Sequence, residues 1–354
     1  MGPPRSPFQP YAAAHASPRG PGDSRPTAKQ VLEDCNAIAT WSGKSILITG
    51  ASAGIGIATA ALYETGAQLY LTARDVSKLE QIIDHIVSKS ATASIPRPQA
   101  YEMHLDSLAS VRRGADAIKA KTDSLNIIIN NAGIMYVPHV NTEDGFESHL
   151  AVNHLAHFAL FHHLRPLLEK AAKDSESLSR VISVSSSGHR FSGILDDVNF
   201  DRTAYDSTIA YGQSKTANIY MCSTLTRLYG SRGITGLSLH PGVIVSTDVY
   251  RYMSVDMLQD LESKRDQSQI KTAEQGAATT VWAVVSPHFE DIENGGRYLS
   301  DLGECGPMDV GKQGVAGVTG YAAHAYDSAK ADKLWRLSCE AVGVPLEVVD
   351  ESHS

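Results

Sequence analysis

The feature that most constrains this chain is a short apolar run, Lys44-Ser-Ile-Leu-Ile-Thr49, that ends in Gly50-Ala-Ser-Ala-Gly54-Ile-Gly56 and passes into a helical pattern reaching about Glu64. A buried strand, a glycine turn and a helix start in succession leave few folds open. Glycine allows the backbone to turn tightly and to approach a ligand closely, and the first N–H groups of a helix present the positive end of its dipole. That arrangement suits a phosphate or pyrophosphate. The spacing is not the common GxGxxG of dinucleotide sites, so a plain connecting turn is the alternative reading.

Downstream, the alternation continues. Strand-like runs at 67–73, 99–104, 125–130, 180–184 and 234–239 are separated by helical patterns at 76–90, 108–121, 145–170 and 209–229. Parallel strands need crossovers of this length, and the crossovers are right-handed. The expected fold is α/β: a Rossmann-like doubly wound parallel sheet with helices on both faces, in a single domain over residues 43–345. Before it, residues 1–28 are rich in Pro, Ala, Ser and Gly and carry Arg5, Arg19 and Arg25 against one acid, Asp23. This composition predicts a disordered tail, with an organelle transit peptide as the alternative. A short lead-in helix is expected within 29–42, and a second tail at 346–354.

Bulk chemistry narrows the function classes. With 31 Lys and Arg against 39 Asp and Glu, the net charge of -8 supplies no basic face for nucleic acid. Cys35, Cys222, Cys305 and Cys339 form no CxxC pair, and no apolar run is long enough to span a bilayer. A cytoplasmic enzyme is expected. His149, His154, His157, His162 and His163 lack a carboxylate or thiol at ligand spacing, so no metal is expected.

Tyr211 and Lys215 lie one helical turn apart on one face. A phenol is a weak acid at neutral pH, and a neighbouring ammonium favours its phenolate. Such a pair can move a proton while a hydride moves elsewhere. At the end of the second strand, Thr72-Ala73-Arg74-Asp75 places Ala73 where an NAD site usually carries an acid. Arg74 favours NADP(H) through its 2′-phosphate, and Asp75 keeps NAD(H) open.

Together, TGASAGIG (49–56), NNAG (130–133), VNH (152–154), SVSSS (183–187), YGQSK (211–215) and HPG (240–242) resemble the short-chain dehydrogenase/reductases, in that family's order. Within it the chain looks most like the retinol dehydrogenase and WW-domain-oxidoreductase-like group, through AVNHLAHFAL and SVSSSGHRF. The resemblance implies a catalytic set of Asn153, Ser186, Tyr211 and Lys215. Tyr211 would be the general acid or base. Lys215 would hold the nicotinamide ribose, Ser186 would bind the substrate oxygen, and Asn153 would order a relay water. It also implies cofactor contacts from Gly50, Ser52, Gly54, Ile55, Gly56, Arg74, Asp106, Asn131, Ala132, Gly133, Pro241, Gly242, Val243, Ser246 and Thr247. Helices holding Asn153 and Tyr211 pair across a dimer interface in many relatives, so a homodimer is one expectation and a monomer the other.

The pattern has departures. Ser183 replaces a usual Asn, which should alter strand-end bonding rather than chemistry. The gap between Ser186 and Tyr211 is long. Residues 247–270 are expected to form a substrate lid, and Val249, Tyr250, Tyr252, Met253, Val255, Met257 and Leu258 suggest an apolar small-molecule carbonyl or alcohol. The glycine-rich stretch 303–320 has no functional reading. The expected function is an NADP(H)-dependent oxidoreductase. A tailoring reductase of secondary metabolism and a non-catalytic NADP(H)-binding regulator are the alternatives.

Overall fold

Strands β1 (Ser45–Thr49), β2 (Gln68–Ala73), β3 (Gln99–Glu102), β4 (Ile127–Asn130), β5 (Ser179–Val184), β6 (Ile234–His240), β7 (Tyr298–Ser300) and β8 (Gly303–Glu304) form one sheet in the order β3-β2-β1-β4-β5-β6-β7-β8. All neighbours are parallel except β7 and β8. These are features of a computed structural model that describes residues 6–92, 94–175, 177–253, 255–256, 259, 263, 266–308 and 320–347. Most of the middle of the expected lid, with Met257 and Leu258, lies outside the described residues, as do 309–319 and 348–354.

The sheet is doubly wound because its strands are apolar on both faces. Along β1, Ile46 and Ile48 point into one core and Leu47 into the other, the period of two that a strand imposes. The first core is closed by α2 (Ala28–Asp34) and α9 (Ala273–Val285), through Val31, Leu32, Val281 and Trp282. The second is closed by α5 (Leu108–Lys119) and α7 (Ala156–Ser175), through Val111, Ile118, Phe158 and Phe161. Helix α9 has no amphipathic stripe because every residue from Gln275 to Val285 is buried.

Two expected helices are subdivided. The glycine turn opens α3 (Gly54–Thr59), which tightens into a 3₁₀ segment over Ala60–Thr65. The helix expected from 145 begins instead as a short turn, α6 (Ser148–Leu150), followed by a π segment at Ala151–Leu155 that leads into α7. The π segment contains Asn153, and such bulges are concentrated at functional sites. Between these elements, α4 (Val76–Lys89) follows β2, and α8 (Ser207–Tyr229) follows β5. No helix of the described residues is long and apolar enough to cross a membrane.

The expectation of a disordered start is corrected for residues 6–28. A short turn, α1 (Ala12–His15), and its flanks are strapped along the domain. Phe8 stacks on His288 at 4.3 Å, and its amide donates to the Glu304 carboxylate at 3.2 Å. Arg25, only 3% exposed, donates to the carbonyls of Gly20, Ser268, Gln269 and Ile270. Composition misjudged the segment because its ordering comes from partners about 245 positions away, such as Ile270. The lead-in helix ends at Asp34, and Asn36 and Ala39 then take positive φ.

At the other end, α10 (Ser328–Val342) lies on α7 and α8. Leu334 and Ala331 pack with Ala217 and Tyr220, and Trp335 meets Phe158 edge-on at 4.7 Å. His154 bonds Ser338 at 2.8 Å. Helix α10 therefore covers part of the outer surface of α7 and α8.

Candidate active site

A cavity of about 670 Å³ opens at the carboxyl ends of β1, β2, β4, β5 and β6, the edge where open α/β sheets bind ligands. Its floor is the glycine turn. Gly50 has φ +65°, and a Cβ there would lie 2.8 Å from the Ala132 Cβ; a Cβ on Gly56 would lie 2.2 Å from the Gly50 carbonyl oxygen. Asn131 fastens the turn by donating from Nδ2 to the Thr49 carbonyl at 2.9 Å. These glycines let β1, β4 and α3 approach closely enough for Gly50, Ser52, Gly54, Ile55, Gly56, Asn131, Ala132 and Gly133 to line one surface. A bare backbone cradle of this kind fits a dinucleotide.

At the far end the wall is Thr72, Ala73, Arg74, Leu105 and Asp106. Asp75 does not join it. Its carboxylate caps α4, accepting the Lys78 amide at 3.0 Å and the Ser77 hydroxyl at 2.7 Å. At the opposite end, Pro241, Gly242, Val243 and Thr247 line the cavity. The Val243 carbonyl accepts from the Lys271 amide at 2.8 Å, and Lys271 pairs with Asp301 at 2.6 Å beneath the Gly242 turn.

Tyr211, Lys215 and Ser186 meet between these ends. Helix α8 starts from an Asp206 cap and carries Tyr211 and Lys215 one turn apart, both buried. Ser186 Oγ and the Tyr211 ring both border Gly188, and Ser186 accepts the Gly188 amide at 3.0 Å. Ser185 instead donates to the Lys215 carbonyl at 2.7 Å. Lys215 Nζ donates to the Val184 carbonyl at 2.9 Å and lies 5.7 Å from the centre of the Tyr211 ring. Burial lowers the ammonium to about 8. It also raises the Tyr211 phenol above its ordinary value, while the neighbouring Ser186 opposes that rise. The expected lowering of the phenol by Lys215 is absent: desolvation sets the direction of the shift, and Ser186 is the group that opposes it.

Two expected site residues stand off the cavity. Asn153 is fully buried behind Gly133, and its side chain is spent on the Ile134 amide, the Ile134 carbonyl and the Ser214 hydroxyl at 2.8, 3.0 and 2.9 Å. Ser246 is exposed and outside the lining, whereas its neighbour Thr247 packs on Gly54. Ser183 accepts from Asn130 Nδ2 at 3.2 Å, a strand-end bond as expected.

Of the five histidines, His149, His154 and His157 are engaged by hydrogen bonds, and His162 packs between Phe158, Phe161 and Trp335 with its Nε2 unpartnered. His157 bonds the Thr49 hydroxyl at 2.9 Å and the Asn153 carbonyl at 3.1 Å. Among the described residues, no group of three or more His, Cys, Asp or Glu is placed to hold a metal ion.

Sequence reading missed several neighbours of Tyr211. Gly188 is required because a Cβ there would lie 2.7 Å from Tyr211 Cε1. His189 bonds the Ser186 carbonyl at 2.6 Å through Nδ1 and accepts the Ala322 amide at 3.1 Å, so it braces Ser186 from behind. Tyr136, with φ +56°, places its ring 5.9 Å from that of Tyr211. The Gly-His pair directly after the serines was the available signal; nothing local marks Tyr136.

A family model for short chain dehydrogenases matches residues 44–257. The chain is 40% identical over 337 residues to the short-chain dehydrogenase/reductase prx1 of Penicillium roqueforti, covering 94% of this chain and 95% of that one. It is 32% identical over 315 residues to retinol dehydrogenase 12 of Bos taurus, covering 88% and 90%. A short chain dehydrogenase of Burkholderia cenocepacia, solved in complex with NADP, superposes with a TM-score of 0.56 at 26% identity over 73% of this chain and 96% of that one. A Brucella melitensis 3-ketoacyl-(acyl-carrier-protein) reductase, solved with NADH, shares the fold at a TM-score of 0.56 and 19% identity over 73% and 96%. The chain belongs to the short-chain dehydrogenase/reductase family of oxidoreductases.

Proposed function

We propose that this protein is an NADP(H)-dependent oxidoreductase that interconverts a carbonyl and an alcohol, with Tyr211 handling the proton. The observation carrying this reading is the pair of hydroxyls, Tyr211 and Ser186, side by side on the cavity wall with Lys215 one turn behind. The dinucleotide, when bound, supplies or accepts the hydride at its nicotinamide ring. The Gly50–Gly56 turn, Asn131 to Gly133 and Pro241 to Val243 would hold it. In the reducing direction Tyr211 gives its phenolic proton to the substrate oxygen as the carbon gains the hydride. In oxidation it takes the hydroxyl proton. Ser186 supplies a second hydrogen bond to the same oxygen, where charge develops. Lys215, held by the Val184 carbonyl, keeps a cation beside the phenol.

NADP(H) is preferred over NAD(H) because Arg74 lines the adenosine end while Asp75 is committed to capping α4. An apolar substrate is favoured by Val140, Phe191, Val249, Tyr250 and Tyr252 around the catalytic end. The test follows NADPH and NADH oxidation against a panel of aldehydes, ketones and quinones, using wild type and Tyr211→Phe. Turnover should fall about 10²–10⁴-fold in the variant with NADPH affinity nearly unchanged. Full activity in the variant would overturn the mechanism.

A further inference from the structure

Glu147 and His149 are fully buried beside the catalytic end. The Glu147 carboxylate accepts four donors: the His149 amide at 3.0 Å, the Leu150 amide at 2.9 Å, His149 Nδ1 at 2.7 Å and, more weakly, the Tyr205 hydroxyl at 3.3 Å. The bond to Nδ1 puts the ring proton there and leaves Nε2 as an acceptor. Nε2 then takes the Val137 amide at 3.2 Å. The Val137 carbonyl is held from the other side by the Tyr205 hydroxyl at 2.8 Å. Tyr205 belongs to the long insert between Ser186 and Tyr211, which Gln213 pins to α8 through Leu195 and Val198. Ser148 ties the far end of the same wall, at the Val140 carbonyl.

Ile134 to Val137 and Val140 line the cavity, and this wall contains Tyr136, whose left-handed backbone is costly for a non-glycine residue. Such a conformation persists only where the surroundings over-determine it. Here, bonds on both sides of Val137 do so. We propose that Glu147, acting through His149, and Tyr205 are positioning residues that hold the 134–140 wall against Tyr211 and so set the substrate side of the cavity. The inference rests on Tyr211 being the proton-transfer group. It assigns a function to the insert and to the Glu-x-His pair that precedes the π segment.

The side chains of Asn and Gln separate the two halves of the ring. In His149→Asn the short amide can still donate to Glu147 but cannot reach Val137. In His149→Gln the longer amide can place its oxygen near the position of Nε2. Three readouts apply to the full chain: exchange of the Val137 amide, NADPH affinity by fluorescence titration, and KM for 4-nitrobenzaldehyde with NADPH. His149→Asn should raise Val137 exchange about tenfold and KM at least about fivefold, with NADPH affinity within about twofold of wild type. His149→Gln should stay within about threefold of wild type in each readout, and Tyr205→Phe should move KM in the same direction as His149→Asn. Equal behaviour of the Asn and Gln variants, or unchanged Val137 exchange in His149→Asn and Tyr205→Phe, would overturn the proposal. If wild type reduces no carbonyl in the panel, the functional reading falls, and Val137 exchange still decides this one.

Discussion

Lys215 Nζ donates to the carbonyl of Val184, the last residue of β5, at 2.9 Å. The ammonium is thus fixed by the strand that carries the serines rather than by a carboxylate. Burial lowers it from 10.5 to about 8, so the charged form is the strained one. At pH 7 both folded and unfolded chains hold the proton, and the folded chain bears a cost of about 3 kcal/mol at most. As pH rises from about 8 towards 10.5, the folded chain releases that proton first and the cost fades. Lys215→Met should therefore lose turnover while matching or exceeding wild-type stability at pH 7. Its advantage should shrink between those two pH values. Urea melts of both proteins across that window check the sign; a variant less stable at pH 7 would contradict it.

Arg74 and Asp75 are adjacent, yet only Arg74 lines the cavity. Arg74→Ala should lower the preference for NADPH over NADH at least about tenfold, the loss of one charged partner to a phosphate. Asp75→Ala should leave that preference unchanged and lower stability by about 1 kcal/mol through loss of the α4 cap. Steady-state kinetics with both cofactors, together with thermal melts, distinguish the two effects.

Arg25 bridges the strap to Ser268, Gln269 and Ile270, the last residues of the expected lid. Arg25→Ala leaves buried carbonyls without donors and should cost about 2 kcal/mol. The released strap should then be cut faster by trypsin at Arg19, and Trp282, against which Phe8 lies at 6.3 Å, should shift its emission to the red. Unchanged proteolysis and emission would show that the strap is held elsewhere.

Because α10 covers part of α7 and α8, the protein should sediment as a monomer. Leu334→Asp with Trp335→Ala should strip the cover and produce concentration-dependent association or aggregation, since Phe158, Tyr220 and Tyr229 become exposed. A wild-type dimer across a broad concentration range would refute this.

The β1 run, the glycine turn and the order of strands and helices were legible because each is a local rule: period two in strands, glycine where backbone approaches backbone. Tyr211 and Lys215 were legible for the same reason, being one helical turn apart. Ser186 was placed by resemblance, as the second serine after Val184; the structure puts it next to Tyr211 on the cavity lining and turns Ser185 to the Lys215 carbonyl. Asn153 and Ser246 were placed by resemblance, and the structure sets both off the cavity lining. Helix α9 escaped notice because a fully buried helix has no stripe to detect.

The doubly wound α/β sheet, the glycine cradle and the Tyr–Lys pair follow from local patterns, each set by residues within a few positions of one another. Closure of the chain made the Pro-rich start a strap, laid α10 over α7 and α8, and brought His149, held by Glu147, and Tyr205 to Val137. Those outcomes depend on contacts between residues tens to hundreds of positions apart, such as Tyr205 with Val137 and Arg25 with Ile270. Their free energy comes from desolvated hydrogen bonds and packed apolar surface that exist only once the chain has closed.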